Sequence, residues 1–443
     1  MISPARRLSA VKPHLFARLN RRKAELRAAS VDVIALDMGS PDLPPAPHIV
    51  EALVRSARRP DSYGYGEFSG SPAVKRAFAY FYAQRFGVEL DPEREVLLLL
   101  GSKEGIYHLS FAYLDPGDVA LVPDPGYPTY AAAARLAGAT VHAVPLERVR
   151  GTRGDGVDGV NGVGSVGGVN GVSSVGGVED VMWLPALERI PKDVAARAKV
   201  LWLNYPNNPT ASIAPRTFFE RAVAFCQQHS ILLAHDNAYS ETGYDGYRAP
   251  SVLQVRGAKD IAIEFFSLSK AYNVAGMRVG ALVGHPEVVK TVAALKSNVD
   301  TGAFAAIQDA AIAALTGDQS WLEARQEIYR RRRDLCVAAL RALGCEVALP
   351  HATIYLWARL PHGETDSAAW CAAVLEAAGV SFTPGVAFGQ SGEGYFRVAL
   401  TAPLERLREA MERLAAYVQR SDRPSATGTD GAHDHCLEHA VLA

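Results

Sequence analysis

Near residue 270 the chain reads SLSKAYNVAGMRVG, which sets Lys270 among serines, small apolar residues and glycines and places Arg278 eight positions later. A surface lysine has no use for such a setting, whereas an amine that must be buried, stripped of water and reactive does. Three further stretches carry groups of complementary chemistry: YPNNPTAS with Asn208, HDNAYSE with Asp236 and Tyr239, and GYFRVAL with Arg397. Each group has an ordinary reading when taken alone. Lys270 could snorkel at a surface, Asp236 could cap a helix, and Arg397 could sit in a solvated pair on an edge strand. Together they supply a reactive amine, a carboxylate at the end of an apolar run, and two guanidinium forks suited to oxyanions.

These groups need elements to hold them. From about residue 95 to 285, short β-rich runs (VLLLL, VALVPDP, VLWLNYP, ILLAHDNAY, IAIEFFSLS, GALVG) alternate with helical patterns such as YAAAARLAG and FFERAVAFCQQH. That alternation predicts an α/β fold with a largely parallel sheet covered by helices, whose ligands sit where strands end. Ser102 and Lys103 in GSKEG follow VLLLLG directly, so a helix N-terminus with free amides is expected there, a phosphate-binding end. The stretch 318–343 reads as one long helix leading into a smaller α+β domain that contains CEVALPHATIYLWARL and GYFRVALT. The expected organisation is an arm and part of the small domain over 1–45, a large domain over 46–317, the small domain over 318–420 and a disordered tail over 421–443.

A glycine-valine repeat, GVDGVNGVGSVGGVNGVSSVGGVED, breaks the alternation within 151–180. Its GxGxxG match at Gly162, Gly164 and Gly167 has no strand before it and no helix after it, so it is read as a flexible insertion and not as a dinucleotide fingerprint. The tail holds His433, His435, Cys436 and His439, and no metal site is assigned to it. With 46 basic and 47 acidic residues among 443, the chain has no charge excess to suggest nucleic acid or a membrane surface as partner. Its longest apolar runs are too short to span a bilayer. Cys226, Cys336, Cys345 and Cys371 are widely spaced in apolar or helical surroundings and read as core thiols in a reducing compartment. The arginine-rich start, MISPARRLSAVKPHLFARLNRRK, is read as an arm of the mature protein, and a cytoplasmic location is expected.

In this order and spacing the motifs resemble the aspartate aminotransferase family, the class I and II aminotransferases of fold type I, from about Ala5 to Tyr417 apart from the repeat. The resemblance implies pyridoxal 5′-phosphate as cofactor. It implies Lys270 as the amine that holds the cofactor and then shuttles a proton, and Asp236 as the carboxylate beneath the pyridine nitrogen. Asn208 and Tyr239 match the partners of the ring O3′, and Tyr127 matches the aromatic that stacks on the ring. Ser267, Arg278, Ser102 and Lys103 match phosphate ligands, with Tyr65 reaching the phosphate from a neighbouring subunit, which would make the enzyme a homodimer with shared sites. Arg397 and Gly39 match the pocket for the substrate carboxylate; Asn298 and Thr301 lie in a loop near the partner's site, and Glu67 is the candidate for a distal ammonium.

The implied reaction is amino transfer between an L-amino acid and a 2-oxo acid such as 2-oxoglutarate. The motifs look most like the branch of bacterial LL-diaminopimelate aminotransferases, and alanine (glutamate:pyruvate) and aspartate aminotransferases remain alternatives. A reading of another class is a non-catalytic amino-acid sensor on the same fold. Such sensors carry a DNA-binding domain ahead of it, and fewer than forty residues precede DMGSPD here. The usual NPTG is NPTA, with Ala211 in place of glycine; if that position has positive φ, the alanine is strained.

Overall fold

The computed structural model describes residues 2–10, 15–150 and 181–421. The repeat and the histidine-containing tail lie outside these residues. The strands, in chain order, are β1 (Ile34–Ala35), β2 (Val96–Leu99), β3 (Val119–Asp124), β4 (Thr140–Arg150), β5 (Val181–Pro185), β6 (Ala198–Asn204) and β7 (Leu232–Asp236). They continue as β8 (Ala262–Ser267), β9 (Gly280–Gly284), β10 (Tyr355–Arg359), β11 (Val380–Ser381), β12 (Thr383–Pro384) and β13 (Tyr395–Ala399).

Eight of them form one sheet in the order β2-β9-β8-β7-β6-β3-β4-β5. The pairs β8–β7, β7–β6, β6–β3 and β3–β4 are parallel, while β9 runs antiparallel to both neighbours and β5 runs antiparallel to β4. The inner strands are buried on both faces, which is why the sequence shows them as unbroken apolar runs. One face packs on Phe78, Phe81, Phe218 and Phe219, and the other on Ile106, Leu109, Tyr130 and Ala133. Because the parallel strands share one direction, β3, β6, β7 and β8 deliver Asp124, Asn204, Asp236 and Ser267 to the same edge.

A second core gathers around the three-stranded sheet β10-β13-β12, with Trp370, Phe382 and Phe396 at its centre. The helix Leu404–Ser421 turns Leu407, Ala410, Met411, Leu414 and Val418 onto this core at three- and four-residue spacing, one apolar stripe of an amphipathic helix. The N-terminal segment joins the same core through parallel pairing of β1 with β11, Ile34 opposite Val380. The expected long helix is present as Trp321–Ala342.

At the far edge, β4 and β5 pair antiparallel up to Arg150 opposite Val181, so the ladder closes before the repeat begins. Ala211 is buried and has φ of +58°, which places a methyl-bearing residue in the left-handed region.

Candidate active site

Lys270 follows β8 on a single turn of helix, Leu268–Ala271, whose first amides are capped by the Ser267 hydroxyl accepting from Ser269 N at 3.2 Å. Its ammonium donates to the carbonyl of Gly39. Burial lowers the lysine pKa and the Arg397 and Arg278 charges push the same way, against Tyr355, so the neutral amine is favoured more than in water. The backbone of this turn is clamped from the second core: Arg325, buried on the long helix, donates to the carbonyls of Lys270 and Ala271.

Asp236 ends β7, buried. Its Oδ2 accepts from Tyr130 OH at 2.7 Å, while Oδ1 is buried with no partner. Burial raises its pKa to about 6, against the Tyr130 hydrogen bond and the charge of His235. Tyr130 is itself fixed by stacking on Trp202, centroids 4.8 Å apart and 11° from parallel, and Trp202 stacks in turn on Phe265. Tyr127 stands edge-on to Tyr130 at 5.5 Å. Asn204 at the end of β6 ties the neighbouring strand ends together, donating to Asp236 O at 2.7 Å and accepting from Asn208 N at 2.8 Å.

Arg397, on β13 of the second sheet, reaches across to the large one. Nη1 donates to Asn208 Oδ1 at 2.6 Å, Nη2 donates to Asp37 O at 2.7 Å, and Nε is buried without a partner. The guanidinium lies 4.1 Å from the Tyr355 ring centroid and 4.7 Å from that of Phe388. Tyr355 OH meets Tyr239 OH at 3.1 Å. Burial pushes the Tyr355 phenol up, but the Arg397 and Lys270 charges outweigh it and hold the pKa below the ordinary value. Gly39 closes this corner: a Cβ there would fall 2.0 Å from Tyr355 Oη, so only glycine fits beneath the phenol. Lys23 and Asp37, a buried pair at 2.8 Å, hold the carbonyl that receives Arg397.

A second group sits where the helix Ser102–Tyr113 begins. Its N-cap, Gly101, has φ of +83° and no side-chain cap, which leaves the first-turn amides open. A Cβ on Gly101 would lie 2.4 Å from Arg278 Nη2, so glycine also makes room for the guanidinium. Arg278 hangs from the carbonyls of Ala275 (3.1 Å) and Leu100 (3.3 Å). Ser102 Oγ is buried without a partner, and the Lys103 pKa is lowered by burial and by the Arg278 charge. Ser267 stands close by, its Cα and Ser102 N each 3.5 Å from a Cβ placed on Gly280, so an uncapped helix N-terminus, Arg278, Lys103, Ser102 and Ser267 form a set of donors for a phosphate.

The remaining expected residues are not drawn into this chamber by their own chain. Tyr65 is 96% exposed and Glu67 is exposed, on the loop after Tyr63. That loop packs on the 299–304 segment, with the Tyr63 ring 5.3 Å from Phe304 and the Glu67 carbonyl against Gly302. Asn298 is exposed and donates to Ala294 O at 2.9 Å. A surface cavity of about 630 Å³ runs along this patch and is lined by Arg278, Thr301, Gly302 and Phe304. Glu104, His108 and Asp300 bring possible ligand atoms within 4.8 Å of one another, but Lys296 Nζ lies 2.8 Å from Glu104 and 2.5 Å from Asp300 and takes the place a cation would hold.

Sequence reasoning missed Tyr130, Asn204, Tyr355 and Arg325. Tyr130 had a signal: it lies three residues after Tyr127, hence on the same helix face. The other three read as strand or helix residues, and only long-range packing brings them to the site.

Comparison with known proteins gives a consistent picture. The family model described as aminotransferase class I and II matches residues 31–158 and 179–414 and steps over most of the repeat. An LL-diaminopimelate aminotransferase of Desulforudis audaxviator is 47% identical over 416 residues, 94% of this chain and 98% of that protein. One of Moorella thermoacetica is 45% identical over 410 residues, 93% of this chain and 97% of that protein. Among solved structures, a single mutant of Thermus thermophilus aspartate aminotransferase superposes with a TM-score of 0.80 at 28% identity, covering 94% of this chain and 100% of the other.

Proposed function

The chain belongs to the class I and II aminotransferases of fold type I, and from that membership we propose that it is a pyridoxal 5′-phosphate enzyme that takes its amino group from LL-diaminopimelate and passes it to 2-oxoglutarate. One observation carries the cofactor reading: Asp236 Oδ1 and Ser102 Oγ are both buried without a partner, and they stand with Lys270 at the same strand-end edge of the large sheet, beside the open amides that follow Gly101. Orphaned polar atoms in a folded interior are costly unless a ligand completes them. Identity of 42–47% to LL-diaminopimelate aminotransferases over nearly the whole chain supports the donor.

When bound, the cofactor supplies an electrophilic aldehyde and a protonated pyridine ring that takes up the electron pair left at the substrate Cα. The protein's part follows from its own groups. Asp236 would hold the proton on the ring nitrogen through Oδ1, its other oxygen being fixed by Tyr130. Tyr239 and Asn208 would donate at the ring O3′, and Tyr127 would cover the ring face. Arg278, Ser267, Ser102 and the amides after Gly101, with Lys103 nearby, would hold the phosphate. Arg397 has an unused Nε–H and an Nη1 that can turn from Asn208 to a carboxylate, and so orients the substrate Cα. Lys270 Nζ, whose pKa burial lowers, would serve as the base that takes and holds the Cα proton.

The same proposal assigns Tyr65 and Glu67 to the site of a second copy of the chain. Both are exposed on the patch that borders Arg278, an arrangement that supports a homodimer in which Tyr65 completes the phosphate site, Asn298 lies nearby and Glu67 meets the distal ammonium of the donor. No helix among the described residues is long and apolar enough to cross a membrane.

Single-turnover conversion of bound cofactor with a panel of amino acids tests the donor. Rapid conversion is expected with LL-diaminopimelate and, as the reverse of the acceptor half-reaction, with glutamate; slower conversion is expected with alanine and aspartate, and a selective loss of the first in Glu67→Ala. Rapid conversion by alanine and glutamate with none by LL-diaminopimelate would replace this donor with an alanine-type one.

A further inference from the structure

Directly before Asp236 on β7, His235 is fully buried, a polar side chain on the opposite face of the strand. Its Nδ1 lies 2.8 Å from Glu264 Oε2 and its Nε2 lies 3.1 Å from the backbone carbonyl of Tyr205. A carbonyl oxygen only accepts, so Nε2 carries a proton. The proton on Nδ1 is assigned from the state of Glu264.

Glu264, also fully buried on β8, is surrounded by donors. Oε1 receives Tyr82 OH at 2.8 Å and Asn237 Nδ2 at 3.2 Å, and Oε2 receives Ser251 Oγ and Val252 N, each at 3.0 Å, besides His235. The Ser251 hydroxyl already accepts from Leu253 N at 3.1 Å, so its own proton is free for the carboxylate. A carboxyl ringed by donors of this kind is ionised, because an acid proton would displace a hydrogen bond and find no better acceptor. Nδ1 then donates as well, and the imidazole is a cation. Burying a charge pair is tolerable only when its remaining donors and acceptors are satisfied, and here they are.

We propose that His235 and Glu264 form a buried imidazolium–carboxylate pair whose positive member, one residue from Asp236, keeps the Asp236 carboxyl ionised, making His235 a positioning residue for the chemistry of the site. Burial drives Asp236 toward its neutral acid, the Tyr130 hydrogen bond and His235 oppose this, and Glu264 works weakly with burial. The phenols of Tyr127 and Tyr239 are the other ionisable groups whose charge couples to Asp236. His235 acts on Asp236 more strongly than Glu264 does, so the opposed charges leave a net pull toward the ionised carboxylate. The value of this to catalysis rests on the reading of Asp236 as the carboxylate beneath the cofactor ring, but the electrostatic claim can be tested without cofactor.

The test is made on the apoprotein with carboxyl-labelled aspartate, the infrared band of Asp236 being identified by its loss in Asp236→Asn. In wild type the band should titrate with a midpoint near pH 6. His235→Gln removes the cation and leaves Glu264, and should raise that midpoint by about one pH unit, as expected of one lost charge at this range. The double variant His235→Gln/Glu264→Gln removes both charges and should bring the midpoint part of the way back. A merely structural role for His235 would lower the unfolding midpoint and leave the carboxyl where it was. An unmoved midpoint in the folded single variant overturns the proposal. Should the variants fail to fold, nitrogen NMR of the labelled wild-type histidines decides. One imidazole of the 12 should carry protons on both ring nitrogens, its Nδ1 proton held against a carboxylate, and the absence of such a ring overturns the pair. Failure here would leave the donor and cofactor assignments untouched, since neither experiment involves turnover.

Discussion

Arg397 donates to Asn208 Oδ1 at 2.6 Å, and this bond joins the two sheets: Arg397 stands on β13 and Asn208 on the loop after β6. The guanidinium is thus held in place by its own chain, 4.1 Å from the Tyr355 ring centroid and 4.7 Å from that of Phe388. Preorganisation of this kind lowers the ordering cost of binding a carboxylate.

Arg397→Lys should therefore damage substrate handling and spare the cofactor. Loss of the fork removes a charge-assisted hydrogen bond worth roughly 1.5–3 kcal/mol, or about 10- to 100-fold in kcat/KM, for amino donor and 2-oxo acceptor alike. Steady-state kinetics with cofactor titration checks this. An equal loss of cofactor affinity would place Arg397 elsewhere in the mechanism.

Lys270→Ala should lose turnover by more than about 10⁴-fold, and borohydride should no longer fix the cofactor to the chain. If Tyr65 serves the neighbouring copy, mixing inactive Lys270→Ala chains with inactive Tyr65→Ala chains should restore part of the activity, because one site in each hybrid has both residues. No recovery after verified subunit exchange would mean that each chain completes its own site.

The raised pKa of Asp236 makes a signed prediction for the apoprotein. A carboxyl whose folded pKa is about 6 against an ordinary 3.8 binds more protons folded than unfolded between those values, so its contribution to stability falls as pH rises through this window. Asp236→Asn removes that contribution. The variant should gain on wild type as pH rises from about 4 to 7, by up to about 3 kcal/mol, read from urea midpoints. A difference that stays flat with pH would contradict the burial argument.

At Ala211 the magnitudes nearly cancel. Glycine would relieve about 1–2 kcal/mol of left-handed strain, but would give up about 0.5–1 kcal/mol of backbone entropy and a buried methyl worth about 0.8 kcal/mol. Ala211→Gly should change stability by less than about 1 kcal/mol, while Ala211→Val, β-branched at positive φ, should cost about 1–3 kcal/mol. Chemical denaturation of both variants is the check, and a large gain from glycine would show the strain to be greater than its dihedral implies.

Removal of 155–178 should leave fold, oligomeric state and kcat close to those of the full chain. The β4–β5 ladder is complete at Arg150 and Val181, and the short stretch left by the deletion suffices to turn a hairpin. Size-exclusion chromatography and kinetics of the shortened chain test this, and loss of soluble protein would assign the segment a structural duty.

Much of the candidate site was legible because its residues lie in short motifs at strand ends. Lys270, Asp236 and Asn208 each follow an apolar run that could only be a buried strand, and a parallel sheet brings such ends together. What stayed hidden depends on contacts across long stretches of sequence. Tyr130 meets Asp236 and Tyr355 meets Tyr239 over more than a hundred residues, and each passes in sequence for an apolar filler of its own element. The antiparallel course of β9 was equally illegible, because a buried strand reads the same in either direction. His235 did break the pattern, as a polar residue inside ILLAHD, but its meaning appears only with Glu264 beside it.

The closure of the β4–β5 hairpin ahead of the glycine-valine repeat bears on how this gene can change. A coding repeat is prone to replication slippage, and gains or losses of whole repeat units here keep the reading frame and enter a connection that joins two already paired strands. A change of length between Arg150 and Val181 should therefore leave the register of the strands that position Lys270, Asp236 and Asn208 unaltered. The same position is a ready point for inserting a tag or a reporter domain.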